Sequence, residues 1–426
     1  MGTSTVIGSS TTPSPRLGVG TLQRLPRTVT RPAYTPQGLG TGIVHLGCGA
    51  FHRAHQALIT QHAMAATGDR RWGIAAVAMS RPDIVTALRA QDNLYTTLLR
   101  DSSGVRAEVV GAITAAVHAP SDRLGVTRRI ADPRVRLVTL TVTTGGYCVS
   151  PVTGQLDVSS DPVRHDLRCA ANPCTAIGML VGGLQAVRRR GGAPPVVISC
   201  DNLSGNGRQL RGAVLGFAAM RDDRLVDWIA RNVQFPCSVV DRIVASAGPA
   251  DEEVTRGWLG GLDDRAPVSA EPFLTWTIED FTGERPRWEL AGARFVGDVT
   301  DYELAKLRLL NGTHMLLAYL GALAGHETVA AAGADPMMAA LARQFMLYEQ
   351  GSTLNLPGHE LRRTVDELLR RFRNPAIRHE MRRVGRNGSE KMTARVTDAM
   401  RENLATGRPI PGAVLLIASW IRWFEL

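Results

Sequence analysis

The chain has 426 residues, a net charge of +10, and 44% hydrophobic and 21% charged residues. This length allows roughly two or three domains, and the composition is ordinary for a globular protein. The most apolar stretch, residues 414–420, is too short to span a bilayer, and the arginines are spread without interleaved aromatic residues. We therefore expect no membrane span and no nucleic-acid partner.

The basic residues are almost all arginines, because only two lysines occur, Lys306 and Lys391. Arginine keeps its proton in proteins, whereas a buried lysine can lower its pKa and act as a base. The two lysines are therefore candidates for proton chemistry.

Residues 1–40 are rich in Ser, Thr, Pro and Arg, and the first acidic residue is Asp69. This composition is also found in transit peptides, but no amphipathic apolar stripe accompanies it. We therefore expect a flexible, loosely packed N-terminal lead-in over residues 1–40.

The cysteines form no CxxC pair, and neither a zinc-binding Cys/His spacing nor a secretory signal accompanies them. We expect a reduced, cytoplasmic protein without a metal site. The six cysteines are Cys48, Cys148, Cys169, Cys174, Cys200 and Cys237.

A short apolar strand at 42–46 leads into Gly47-Cys48-Gly49, and a helix-like stretch continues to about Thr67. Strand, glycine turn and helix are typical of dinucleotide-binding folds, in which glycines let the backbone approach a pyrophosphate. The third glycine of the fingerprint is missing, so the turn alone is a weak signal.

Further apolar segments of strand length alternate with helical segments such as 175–189. These strands are predicted at 72–79, 135–142 and 196–200. The alternation predicts an α/β fold with a parallel, Rossmann-type sheet.

Beyond about residue 300 the pattern is mostly helical. Thr300 and Glu303 fit a capping box that opens a long helix toward Gly325. Further helical patterns cover 336–348, 360–373 and 376–384. We therefore predict a dinucleotide-binding domain over 41–299 and a helical substrate and catalytic domain over 300–426.

The long helix carries an unusual set of polar side chains. At about 100° per residue, Glu303, Lys306 and His314 fall within an arc of roughly 80°, with Asn311 at its edge. A solvated polar stripe with an ordinary Glu–Lys pair gives the same pattern. Periodicity alone leaves both interpretations open.

The segment KLRLLNGTHMLLAYLGALAG at 306–325 resembles the signature of the mannitol dehydrogenase family, which includes mannitol 2-dehydrogenases and hexuronate reductases. The resemblance extends from about residue 22 to the C-terminus and rests on several motifs in the same order. The other motifs are IVHLGCGAFHRAHQA at 43–57, HDL at 165–167, SCDNLSGNGRQLRGAVLGFA at 199–218, FPCSVVDRI at 235–243, EPFLTWTIEDFTGERPRWELAG at 271–292 and RFRNPAIRHEMRRVGRNGSEK at 371–391.

The resemblance implies hydride transfer between a polyol and nicotinamide, without a metal. Lys306 is expected to be the general acid/base, Asn202 and Asn311 to hold the developing alkoxide, and His314 to orient the substrate oxygen. Glu303 is expected to serve proton exit. The positions expected to contact the polyol chain are Asp241, Arg383 and Lys391. A buried lysine and preorganised amides suit this chemistry.

The expected cofactor is NAD, with NADP possible. No acidic residue closes the second strand, which ends Met79-Ser80-Arg81; an acid there would bind the ribose of NAD, whereas Ser and Arg suit the phosphate of NADP. The family often has Glu-Lys where this chain has Thr144-Gly145, so the pocket can differ. The expected cofactor-binding residues are Gly47, Gly49, Ala50, Phe51, Ser80 and Arg81.

The chain stops at Leu426, within an expected helix, where relatives continue. We therefore expect a truncated helical domain with exposed apolar surface. Three interpretations stay open: a polyol dehydrogenase, which the residues of the motifs EPFLTWTIEDF and AYLGALAG favour; a hexuronate reductase; and a truncated, weakly active member of the family. The resemblance also suggests a monomer.

Overall fold

The computed structural model describes residues 15–150, 153–245, 248–376 and 378–424. The strands within these residues belong to one five-stranded and two three-stranded sheets. They are β1 (Thr41–Leu46), β2 (Gly73–Ala78), β3 (Tyr95–Asp101), β4 (Gly104–Val110), β5 (Ile113–His118), β6 (Leu137–Leu140), β7 (Val196–Ser199), β8 (Ser238–Asp241), β9 (Val268–Ala270), β10 (Thr275–Glu279) and β11 (Ala293–Val296).

The α-helices of the described residues lie between these strands and, beyond residue 300, follow one another. They are α1 (Ala50–Ala54), α2 (Gln56–Thr67), α3 (Asp83–Arg89), α4 (Arg123–Ile130), α5 (Asp161–Arg168), α6 (Ala176–Arg189), α7 (Asn206–Ala219), α8 (Asp223–Asn232), α9 (Pro249–Trp258), α10 (Thr300–Ala305), α11 (Thr313–Leu323), α12 (Val329–Ala334), α13 (Pro336–Gln344), α14 (Gly358–Phe372), α15 (Met381–Val384), α16 (Gly388–Met392), α17 (Asp398–Ala405) and α18 (Pro411–Trp423).

The large sheet is parallel throughout, with the strand order β5-β2-β1-β6-β7. Its strands are buried on both faces because helices and loops cover each side, and β2 is buried along its whole length. The chain moves outward from β1 in one direction through β2 and in the other through β6. This switch point opens a crevice at the carboxyl ends of β1 and β6, where ligands bind in such sheets.

One of the small sheets positions a candidate site residue. It has the order β11-β10-β8, with β8 antiparallel to β10, and Asp241 is the last residue of β8. In the other small sheet, β3 pairs with β4 and with the short strand β9.

The helical part has its own core. Apolar residues of α11, α12, α13, α14 and α15 form one cluster, and α11 and α18 contribute to a second. The last helix of the described residues, α18, buries Ala413 and Leu416 but leaves Val414 and Ile421 more than half exposed, as is Phe424 directly after it. The predicted combination of a parallel Rossmann-type sheet with a helical second part is confirmed.

Two expectations about the ends of elements are corrected. The capping box at Thr300 is wrong, because the Thr300 amide bonds to Asp298 and the Glu303 carboxylate bonds to Gly205 instead. In the predicted helix at 376–384, only Met381–Val384 is helical within the described residues.

The N-terminal lead-in also differs from its prediction. Residues 1–14 lie outside the described residues, but 15–40 are not loose. Leu17, Leu25 and Val29 are buried and pack against residues of β3 and β4. Burying this apolar surface offsets the entropy of ordering a segment whose composition is mostly polar.

No helix among the described residues combines the length and the apolar character needed to cross a membrane.

Candidate active site

A cleft of about 710 Å³ lies at the carboxyl ends of β1, β2 and β6. Gly47 has φ +112°, and a Cβ there would lie 2.0 Å from the carbonyl oxygen of Thr141, so only glycine fits. A Cβ at Gly49 would meet nothing closer than 3.8 Å, which leaves space beside the turn. The cleft is therefore shaped for the close approach of a ligand such as a dinucleotide.

Four of the six residues expected to bind the cofactor line this cleft: Gly47, Gly49, Ser80 and Arg81. Asp83, in the first turn of α3, lines it as well. The cleft thus contains an acidic residue, which was not predicted because Asp83 lies beyond the end of β2.

A second cavity, of about 340 Å³, lies between the sheet domain and the helical domain. Ala50 and Phe51 line this cavity rather than the cleft. Six predicted catalytic or substrate-binding residues line it too: Asn202, Asp241, Lys306, Asn311, His314 and Arg383. The structure therefore brings together side chains from the loop after β7, from β8 and from the helices beyond residue 300, and we call this space the reaction cavity.

The helix that carries Lys306 is not a regular α-helix. α10 continues into a π-helical segment, Lys306–Gly312, and then into α11. In a π-helix the hydrogen bonds run from i to i+5, so residues five apart share a face. This wide turn brings Asn311 to the same cavity as Lys306, although α-helical spacing placed it only at the edge of the arc.

The Lys306 ammonium donates a hydrogen bond to Oδ1 of Asn202 across the cavity. Burial lowers the pKa of Lys306 from 10.5 to about 8. The Asp241 carboxylate and, more weakly, Glu303 raise it, whereas Arg395 and Arg371 lower it further. A lysine with a pKa of about 8 can exchange its proton near neutral pH.

Asn311 and His314 face the cavity with unused polar atoms. Nδ2 of Asn311 and Nε2 of His314 are buried without a hydrogen-bond partner in the structure. Burial, reinforced by His379 and Arg371, holds the pKa of His314 well below its usual 6.5, so its ring is neutral. Buried donors without partners are costly unless a ligand satisfies them, which fits a substrate oxygen at this point.

Asn202 lines the reaction cavity, whereas Glu303, which was expected to serve proton exit, is not among the residues that line it. Asn202 is exposed and follows β7, while the Glu303 carboxylate accepts a hydrogen bond of 3.0 Å from the Gly205 amide. Glu303 therefore links α10 to the loop that carries Asn202.

Lys391 is not brought to the cavity. Its ammonium donates to the carbonyl oxygen of Arg386, and it is absent from the residues that line the reaction cavity. Burial lowers the pKa of Lys391. Its expected contact with substrate stays a prediction that this conformation does not support.

Arg371 was missed by the sequence analysis. It bonds both oxygens of Asp241, at 2.8 and 2.9 Å, and both oxygens of Glu271, at 2.8 and 3.0 Å. Its position inside a matching family segment was the only signal in the sequence, because many other arginines surround it there.

Asp201 was also missed. Its carboxylate accepts hydrogen bonds from the amides of Val142 and Thr143, each at 3.0 Å, and from the Tyr147 hydroxyl at 2.9 Å. Thr143, at φ +64°, is strained for a β-branched residue. Asp201 therefore holds a strained loop of the cleft next to Asn202.

Among the described residues, one group has ligand atoms close enough to hold a metal ion: His165, Asp166 and Cys174. The Asp166 oxygens accept bonds from His165, from the Cys174 amide, and from the amide and hydroxyl of Thr175. These hydrogen bonds hold the start of α6 in place, so the group has a structural role in the fold.

Comparisons with known proteins follow the same division of the chain. Residues 41–290 match the mannitol dehydrogenase Rossmann domain, and residues 298–425 match the mannitol dehydrogenase C-terminal domain. The chain is 40% identical to a D-mannonate oxidoreductase of Escherichia coli (strain K12) over 93% of its own length and 82% of the relative's. It is 39% identical to a mannitol 2-dehydrogenase of Cereibacter sphaeroides over 93% and 83% of the two chains.

A solved structure agrees with the overall fold. The structure of Pseudomonas fluorescens mannitol 2-dehydrogenase in a ternary complex with NAD and D-mannitol superimposes with a TM-score of 0.90 at 35% identity. The match covers 96% of this chain and 84% of that chain.

Proposed function

The chain belongs to the mannitol dehydrogenase family, and from this premise we propose that it is an NAD-dependent oxidoreductase that interconverts a polyol and a ketose, with Lys306 as the group that moves the proton. The observation that carries the proposal is the pairing of Lys306 with Asn202 in a cavity that also holds unpartnered atoms of Asn311 and His314.

The cleft fits the cofactor, because Gly47 admits no side chain and the space beside Gly49 is open. Gly47, Gly49, Ser80 and Arg81 would hold NAD along the cleft, and Ala50 and Phe51 would contact it from the reaction cavity. When bound, NAD supplies the hydride acceptor for oxidation, and NADH the hydride donor for reduction.

Lys306 accepts the hydroxyl proton of the polyol during oxidation and returns it to the carbonyl oxygen during reduction. Oδ1 of Asn202 is engaged by Lys306, so the amide N–H groups of Asn202 are left to donate to the alkoxide. Nδ2 of Asn311 offers a second donor. Preorganised donors of this kind stabilise the charge that develops on the oxygen.

Neutral His314 orients the same oxygen through Nε2. Glu303, whose carboxylate raises the pKa of Lys306 and accepts a hydrogen bond from the Gly205 amide, would pass the proton from Lys306 to solvent. Asp241 and Arg383 lie where the rest of the sugar chain would sit.

Absorbance at 340 nm, followed with purified protein, D-fructose or D-fructuronate, and NADH or NADPH, tests the proposal. We expect turnover with D-fructose and NADH, and its loss in Lys306→Ala. A folded protein without turnover on any pair of substrate and cofactor would refute the proposed oxidoreductase activity and favour a weakly active member of the family.

A sugar acid is the second candidate substrate. The residues that line the reaction cavity include three basic side chains, Arg242, Lys306 and Arg383, but one carboxylate, that of Asp241. A relative that is 40% identical is a D-mannonate oxidoreductase. A guanidinium can bind a carboxylate through two parallel hydrogen bonds. A higher kcat/KM for D-fructuronate than for D-fructose would select this alternative.

We also propose that the protein is a monomer in a reducing compartment, the cytoplasm. All six cysteines, each within the described residues, are free thiols. Size-exclusion chromatography with light scattering, and localisation of a tagged full-length chain, test these two points.

A further inference from the structure

Arg371 joins the two domains beside the reaction cavity. It belongs to α14 of the helical part, whereas Asp241 ends β8 and Glu271 directly follows β9. The Arg371 side chain is 7% exposed, and the Asp241 and Glu271 side chains are 15% and 3% exposed. The arginine thus lies between two carboxylates of the other domain, almost out of contact with solvent.

The guanidinium is fixed from a third side. Its central carbon lies 3.9 Å from the ring centroid of Phe273, which is a cation–π contact. Burial opposes the charge, but Asp241 and Glu271 together hold the pKa of Arg371 above its ordinary value. A planar guanidinium bonded to both carboxylates leaves these three side chains little freedom to rotate.

Asp241 is the member of this group that lines the reaction cavity. Arg371 donates one hydrogen bond to each carboxylate oxygen of Asp241, at 2.8 and 2.9 Å. An ionised carboxylate accepts about four hydrogen bonds, so roughly two acceptor positions remain. Arg371 fixes the direction in which they point.

We propose that Arg371 is a positioning residue for the reaction: it fixes the Asp241 carboxylate so that the remaining acceptor positions of Asp241 face the reaction cavity and bind hydroxyl groups of the polyol. This inference rests on the proposed function. Arg371 acts through Asp241 and need not touch the substrate. Its loss should therefore weaken substrate binding while leaving the cofactor cleft, which contains neither residue, unchanged.

A double-mutant cycle tests this inference in the full chain, with Arg371→Lys, Asp241→Asn and the double variant. Lysine keeps the positive charge but cannot bond both carboxylates as a fork. We expect each single change to raise KM for the polyol about tenfold, the scale of one hydrogen bond to a charged group. We expect kcat to change less, and the dissociation constant of NADH, measured by its fluorescence, to stay the same.

The double variant gives the decisive result. If Arg371 acts through Asp241, Arg371→Lys should raise KM by less than about twofold once Asp241 is Asn. Effects that multiply would overturn the proposal. A wild type without turnover would instead refute the proposed function, so the two failures are distinguishable.

Arg100→Lys is the matched control. Arg100 is also largely buried, with a side chain 19% exposed, and it bonds to the Asp251 carboxylate at 2.8 Å. It lines neither the reaction cavity nor the cofactor cleft. We expect a lower melting temperature for this variant with an unchanged KM, and a KM raised as much as in Arg371→Lys would show that the rise reflects lost stability alone.

Phe273→Leu provides a second perturbation if Arg371→Lys does not fold. It removes the ring under the guanidinium but leaves the ion pairs, so we expect KM to rise about two- to threefold, within the energy range of a cation–π contact. An unchanged KM in this variant would overturn the proposal.

Discussion

Replacing Lys306 by arginine separates the charge of this residue from its ability to release a proton. Arginine stays protonated under all ordinary conditions, so the cation remains in the reaction cavity while the base is lost. General acid–base catalysis contributes about 10²- to 10⁴-fold to a rate. We therefore expect kcat for polyol oxidation to fall by about that factor in Lys306→Arg.

The magnitude follows from the burial of the ammonium. At a pH of about 7.5, a lysine with a pKa of about 8 is about one-quarter neutral, whereas a lysine at 10.5 is neutral in about one molecule in a thousand. Burial thus raises the fraction of active base about 200-fold. Because oxidation needs neutral Lys306 and reduction needs its protonated form, oxidation should rise and reduction should fall as pH passes through about 8.

The assay is the pH profile of kcat in both directions, followed at 340 nm. Lys391→Arg is the matched control because Lys391 is the only other lysine, and its ammonium bonds to the Arg386 carbonyl outside the reaction cavity. The wild type and Lys391→Arg should share the transition near pH 8. If Lys306→Arg kept the change of kcat near pH 8, or if its kcat were within tenfold of the wild-type value, Lys306 would not be the general acid/base.

Three further changes test separate parts of the structure. Asn311→Ala should lower kcat for oxidation about 10²-fold with a smaller change in KM, because one hydrogen-bond donor to the alkoxide is lost; a KM that rises by as large a factor as kcat falls would contradict this. Gly47→Ala should abolish NADH binding, measured by NADH fluorescence, since the new Cβ would lie 2.0 Å from the Thr141 carbonyl oxygen; wild-type affinity for NADH would contradict the assignment of the cleft to the cofactor. Glu349→Gln should cost about 1–3 kcal/mol, seen as a lower melting temperature, because Glu349 accepts the first amides of α18 at 2.7 and 2.8 Å; an unchanged melting temperature would contradict it.

The architecture was predictable from the sequence because it depends on local patterns. The buried strands β1, β2 and β7 are continuous apolar runs, and α6 shows helical periodicity, so each element can be identified without its neighbours. The glycine turn after β1 is local in part, because Gly47 has φ +112°, a conformation that other residues rarely adopt, although the contact with Thr141 that excludes a side chain there comes from a distant segment. The resemblance to the mannitol dehydrogenase family, confirmed by the matches to both domains, added the order in which these elements pack.

Part of the candidate site was predictable for the same reason. Lys306, Asn311 and His314 lie within nine consecutive residues of one helix, so their shared side is a property of a single segment. Even there, α-helical spacing misplaced Asn311, because the π-helical turn depends on packing around the segment and not on its own periodicity.

The remaining features depend on contacts between distant parts of the chain. Arg371 meets Asp241 across 130 residues, and Lys306 meets Asn202 across 104. Nothing in the local sequence distinguishes Arg371 from the other arginines around it. The sequence by itself therefore determined the elements and the residue types available for chemistry. Only the tertiary structure decided which charges face one another, because burial and ion pairing arise when distant segments pack together.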